Sequence, residues 1–134
     1  MFSHFTIKEA NEILPKVIKK FNHISTTKKM ITKIQTELET NPKYSINFKE
    51  FIIKKQELNS EITNFYKAIE ELENIGVIIK SLDEGLVDFP SLRFNEEIYL
   101  CWKDGETEIK FWHGKDEGFM GRKPIETVDL EKLR

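Results

Sequence analysis

GLVDFPSLRFNEEIYLCWKDGETEIKFWHGKDEGFMGRKPI, residues Gly85–Ile125, is the stretch that decides the fold. It holds both tryptophans, the single cysteine and five of the six glycines. Leu86–Phe89 reads as a strand ended by Pro90, and Ser91–Asn95 as a connection. Glu96–Trp102 and Thr107–His113 are the strongest strand candidates, joined at Asp104-Gly105. If these two residues centre a type I′ turn, Lys103 faces Glu106, Leu100 faces Ile109, Ile98 faces Phe111 and Glu96 faces His113. That register sets Ile98, Leu100, Trp102, Ile109 and Phe111 on one face, fit for a core. The opposite face carries Glu97, Tyr99, Cys101, Glu108, Lys110 and Trp112, mixing aromatic with charged side chains.

Working outward towards the N-terminus, Val77–Lys80 is a short β-branched strand and Asp83-Glu84-Gly85 a turn, while Gly76 suits a left-handed helix cap. Before them lies a helical region. From about Phe48 to Asn74 a stripe runs through Phe51, Lys55, Leu58, Ile62, Phe65, Ile69 and Leu72 in steps of four and three, the spacing of a coiled-coil seam. From Pro15 to about Glu39 a second stripe follows Val17, Phe21, Ile24, Lys28, Ile31 and Leu38. Lys28 and Lys55 interrupt the two seams. Thr40-Asn41-Pro42 ends the earlier helix, since a residue before proline avoids the helical region. So short a link makes the two helices antiparallel. Ahead of them Thr6 and Glu9 form a capping box that opens a short first helix, which Pro15 kinks or ends. The expectation is one α+β domain over residues 1–134, helical over 1–75 and β over 76–134. Its parts are a long antiparallel helical hairpin and a small, mainly antiparallel β-sheet.

Composition excludes several classes. A chain of 134 residues and 15.9 kDa fits one ordinary domain. With a net charge of −2, general nucleic-acid binding is not expected. Charge is uneven: residues 1–75 carry 12 Lys against 10 Glu, and residues 76–134 carry nine basic against 13 acidic residues. The series Lys16, Lys19, Lys20, Lys28, Lys29 and Lys33 reads as a solvated helix face. No apolar run approaches the ~20 residues of a membrane span. Met1–Ala10 lacks the pattern of a secretion signal, so a cytoplasmic location is expected. A single cysteine rules out an intramolecular disulfide and a cysteine-rich zinc framework.

Six residues are candidates for a ligand or partner site: Asp88, Tyr99, Cys101, Trp112, His113 and Arg122. His113 is the candidate metal ligand or general base, with Glu96 placed across from it to fix the tautomer. A lone histidine beside aromatics is more commonly structural, and no His-x3-His or Cys-x2-Cys spacing marks a preformed zinc site. A metal held by His113 with Asp88, Glu96 or Cys101 remains open. Cys101, between Leu100 and Trp102, reads as a buried thiol. Asp88, flanked by Val87 and Phe89, needs a partner, and the planar guanidinium of Arg122 is the expected one. Gly114, Gly118 and Gly121 flank Lys115, Arg122 and Lys123, a weak anion-cradle pattern that is more often a turn-rich connection. Tyr99 and Trp112, exposed together, would form an apolar patch needing cover by the segment Phe119–Leu133, which is apolar enough, by a second subunit or by a ligand.

Several blocks resemble the domain-of-unknown-function 2203 family. They are Phe5-Thr6-x-x-Glu9-Ala10-Asn11-x-x-Leu14-Pro15, Gly76-Val77, Gly85–Pro90 and Tyr99–Trp102. Trp112-His113 and Gly118-Phe119-x-Gly121-Arg122-x-Pro124-Ile125 complete the set. The resemblance implies a small cytoplasmic prokaryotic protein of helical hairpin plus sheet, and it brings no activity or catalytic residues with it. The functional expectation is therefore a non-enzymatic interaction module that uses the helical seam or the aromatic sheet face, as a homodimer. The alternative is a small-molecule- or metal-dependent enzyme centred on Asp88, His113 and Arg122.

Overall fold

A reciprocal cap starts the first helix: the Glu9 amide donates to Thr6 Oγ1 at 3.0 Å, and Glu9 Oε1 accepts from the Thr6 amide at 2.9 Å. Two of the amides left over at a helix start are thereby satisfied. The computed structural model describes residues 4–126 and Asp129. Three helices come first, α1 (Ile7–Thr40), α2 (Pro42–Ile46) and α3 (Phe48–Glu73). They are followed by β1 (Ile78–Ser81), β2 (Leu86–Arg93), β3 (Glu96–Lys103), β4 (Phe111–Gly114), a 3-10 turn at Phe119–Gly121 and β5 (Lys123–Pro124). The fold class is α+β. Among the described residues no helix is long and apolar enough to cross a membrane. The chain divides into two compact units, Met1–Lys19 with Leu72–Arg134, and Lys20–Glu71.

Of the two outcomes expected at Pro15, a kink or an end, the end does not occur. α1 runs through Pro15 unbroken, although a proline forfeits one backbone bond and costs about 3 kcal/mol in a helix interior. Leu14 and Val17, 1% and 0% exposed, hold the turn on either side in the first unit's core. Burial of this size, roughly 1.5–3 kcal/mol per side chain, is enough to offset the proline.

Unit Lys20–Glu71 is an antiparallel helical hairpin. Lys54 Nζ on α3 meets Glu37 of α1 at 3.2 Å and Lys20 on α1 meets Glu71 of α3 at 3.6 Å, so the two helices run in opposite directions. Asparagine side chains shape the link, with Asn41 Oδ1 accepting from the Lys43 amide and Asn47 Oδ1 from the Glu50 amide. Phe21, Ile24, Thr27, Ile34 and Leu58 are buried. The lysine of the α3 stripe is Lys54, half-buried between Glu37 and Glu57, whereas Lys55 is exposed. Two glutamates at the right helical positions decide which lysine turns inward.

In the other unit the sheet is an antiparallel meander of order β1-β2-β3-β4-β5. Pro90 lies inside β2 and does not end it. β1 pairs with β2 only as far as Asp88, so at Pro90 that side of the strand is open. Pro90 O instead accepts from the Phe5 amide at 2.7 Å, which places the position lacking an N–H on the open side.

The β3–β4 register also differs from expectation. Glu106 N donates to Lys103 O at 3.0 Å, so the turn sits where expected, but only Gly105 has a positive φ (+103°). A type I′ turn needs positive φ at both central residues, and without it the strands splay. Residues 106–110 accordingly leave the sheet. Asn11 Oδ1 captures the Ile109 amide at 2.7 Å, and Ile109 is buried. Pairing resumes as Cys101↔Phe111, Leu100↔Trp112, Tyr99↔His113 and Ile98↔Gly114. Phe111 therefore shares a face with Cys101, and Trp112 changes to the face of Leu100. The type I′ geometry falls instead at Phe94 (φ 52°) and Asn95 (φ 66°), between β2 and β3.

Candidate functional site

β2, β3 and β4 each contribute one chemically active side chain to the same sheet face. Asp88 on β2 lies directly across from Cys101 on β3. His113 on β4 pairs with Tyr99, two residues along β3 from Cys101, so it too points to this side. The relative exposures of Asp88, Cys101 and His113 are 1%, 1% and 2%. One donor atom from each lies within 4.8 Å of the others, the only such trio of acidic, histidine or cysteine residues among the described residues.

His113 Nε2 stands 3.0 Å from Asp88 Oδ1, and its Nδ1 stands 3.0 Å from the Gly114 carbonyl oxygen. A carbonyl only accepts, so the proton on that side belongs to Nδ1. In neutral His113 the lone pair of Nε2 then points at Asp88, and a proton or another cation must lie between them. The other carboxylate oxygen, Oδ2, is buried with no hydrogen-bond partner. Burial pushes the Asp88 carboxyl above the ordinary range. The hydrogen bond and charge of His113, the charge of Lys80 and a weak approach of the Cys101 thiol, too poorly aligned to satisfy Oδ2, only partly oppose this. Burial, then the charge of Asp88, raises the Cys101 thiol to about 11, so in this form it is no nucleophile at neutral pH.

The partner of Asp88 is thus His113, and the expected Asp88–Arg122 pair does not form. Arg122 Nη2 instead grips the Glu106 carboxylate at 2.5 and 2.6 Å and reaches the Cys101 carbonyl at 3.4 Å. Its guanidinium stacks on Phe111 at 4.0 Å and on Phe119 at 4.9 Å. Glu96 does not face His113 either, because the register sets it across from Arg93. Nor do Tyr99 and Trp112 form one patch. Tyr99 lies against the His113 ring at 5.5 Å with Lys80 Nζ above it, while Trp112, on the opposite face, sits under Arg93 and Lys123. From the described part of the segment expected to cover them Lys123 reaches Trp112, while Arg122 packs with Phe111 and Phe119; Val128, Leu130 and Leu133 lie outside the described residues.

The glycine-rich loop holds an anion of its own. Glu117 Oε1 accepts from the Gly114 amide at 2.7 Å and from Lys123 Nζ at 2.5 Å. A Cβ at Gly114 or Gly121 would come within 2.9 or 2.8 Å of Glu117, so the close approach of this side chain is what the glycines permit. Lys115 is engaged with Glu97 at 2.9 Å. Glu106 and Glu117 are the acids paired with the candidate basic residues that the sequence did not single out. The available signal was an acid placed among basic residues and glycines, which reads equally well as a solvated turn.

This arrangement defines a small α+β protein of helical hairpin and antiparallel meander, with a buried aspartate–cysteine–histidine cluster. The chain belongs to the family described as "Uncharacterized conserved protein (DUF2203)", whose model matches residues 3–125. Neither a curated protein nor a solved structure matches it.

Proposed function

We propose that the protein is a cytoplasmic, non-enzymatic interaction module that pairs with a second copy of itself through the linked end of its helical hairpin. One observation carries this reading. Between Ile46 and Ile53 four large apolar side chains stay in solvent: Ile46 at 84%, Phe48 at 75%, Ile52 at 37% and Ile53 at 51% exposure. A cluster of this kind is costly to leave open and marks an interaction site. Lys43, Lys49, Glu50, Lys55 and Glu57 intersperse both signs around it. A two-fold pairing needs a patch complementary to itself, which mixed charge provides and a patch of one sign does not. Native mass spectrometry tests the proposal. The expected species has twice the 15.9 kDa chain mass, and a monomer at every concentration would contradict it.

An enzyme reading is favoured by the Asp88–His113 contact, but Arg122, its expected third member, is committed to Glu106. A cleft lined by His4, Pro90, Glu97, Tyr99 and Lys115 offers a small molecule the side of Tyr99 and not the buried cluster itself. Turnover that disappears in His113→Gln while the hairpin-end residues are untouched would favour this second reading.

A further inference from the structure

We propose that Asp88, Cys101 and His113 bind one divalent transition-metal ion of the zinc class. The inference is independent of self-association through the hairpin. Three neighbouring strands supply the donors, so the strand pairing itself fixes their spacing. The backbone bond from Nδ1 to Gly114 leaves Nε2 as the nitrogen with its lone pair inward, the arrangement found in metal-bound histidines. Asp88 Oδ2, buried and without a partner, points to the same need for a cation. Donors around a tetrahedral zinc ion stand roughly 3.3–3.7 Å apart, given bonds of about 2.0–2.3 Å. The three donor atoms already lie within 4.8 Å, so modest side-chain rotation closes the set.

Charge and ligand type narrow the ion. Asp88 and Cys101, ionised, carry two negative charges, and a divalent ion with neutral His113 makes the buried group electrically neutral. A bound cation also lowers the pKa of its own thiol ligand, so the protonated Cys101 of the metal-free form is no obstacle. One sulfur, one imidazole and one carboxylate suit zinc, cobalt(II) or nickel(II), and not the all-oxygen preference of magnesium or calcium. Binding releases the Cys101 thiol proton and whatever proton is shared between His113 and Asp88.

The test uses the full chain, stripped with a chelator and titrated with cobalt(II), and in parallel refolded in its presence. Because Cys101 is the only cysteine, any thiolate-to-cobalt charge-transfer band in the near ultraviolet belongs to it. We expect that band to saturate at one equivalent, to disappear in Cys101→Ser, and to require at least about tenfold more cobalt in His113→Gln. Zinc should bleach it by displacement. Absence of the band from folded wild-type protein after both treatments overturns the proposal, whether or not the variants fold. So does cobalt affinity unchanged by His113→Gln.

Discussion

Glu117 occupies the anion position expected of the glycine-rich loop. Its hydrogen bonds from Lys123 and Gly114 hold its carboxyl below the usual range. A depressed folded pKa contributes stability that is present above the unfolded value, about 4.3, and is lost as pH falls through the folded one. Glu117→Gln should therefore lower the melting temperature at neutral pH, with the difference from wild type shrinking below about pH 4. A constant difference across the range would mean that the side chain's shape matters and its charge does not. At Arg122 the partner is testable in the same way. Arg122→Met and Glu106→Gln should show a coupling of roughly 0.5–3 kcal/mol in a denaturation cycle, and Arg122→Met with Asp88→Asn a much smaller one. Of the six candidate residues the structure brings Asp88, Cys101 and His113 together, and each stands out in the sequence as a polar or reactive group beside apolar or aromatic neighbours. The pairing was not legible: for Asp88 it depends on which residue of β4 crosses β3, and that was decided outside the strands.

Among the elements, the β3–β4 connection shows why. Asp104-Gly105 reads as a hairpin turn by composition, yet the turn lacks type I′ geometry, the strand after it is delayed, and Asn11 of α1 takes the Ile109 amide of the departing segment. No local pattern announces a bond spanning 98 residues. Asn11→Ala should cost about 1–3 kcal/mol, the price of a backbone amide left unpaired in a partly buried place. Urea denaturation would measure it, and a change below 0.5 kcal/mol, roughly the floor for one hydrogen bond, would show the bond to be incidental. The neighbouring β2–β3 turn carries its own strain, since Phe94 holds a left-handed conformation that costs an L-residue about 1–2 kcal/mol. Asparagine tolerates that region, so Phe94→Asn should raise stability by about 0.5–1 kcal/mol, less whatever the contact with Arg93 contributes. The helices were easier to read than the strands. The capping box, the step-of-four-and-three stripes and the Asn41-Pro42 break all depend on nearby residues, whereas Pro15 misled because tertiary burial outweighed a local rule.

At the scale of the whole molecule the two units ask for different explanations. The sheet unit is closed around its buried cluster, and every strand and the α1 cap are tied to it by backbone bonds. The hairpin unit leaves Ile46, Phe48, Ile52 and Ile53 in solvent, and self-association through them is the central claim. Sedimentation equilibrium of the wild type beside a Phe48→Asp/Ile52→Asp variant tests it most directly. The account predicts a dimer for the wild type and a monomer for the variant, with far-ultraviolet circular dichroism unchanged because both side chains lie at the surface. A wild-type monomer across a hundredfold range of concentration, or a variant that remains dimeric, would contradict it.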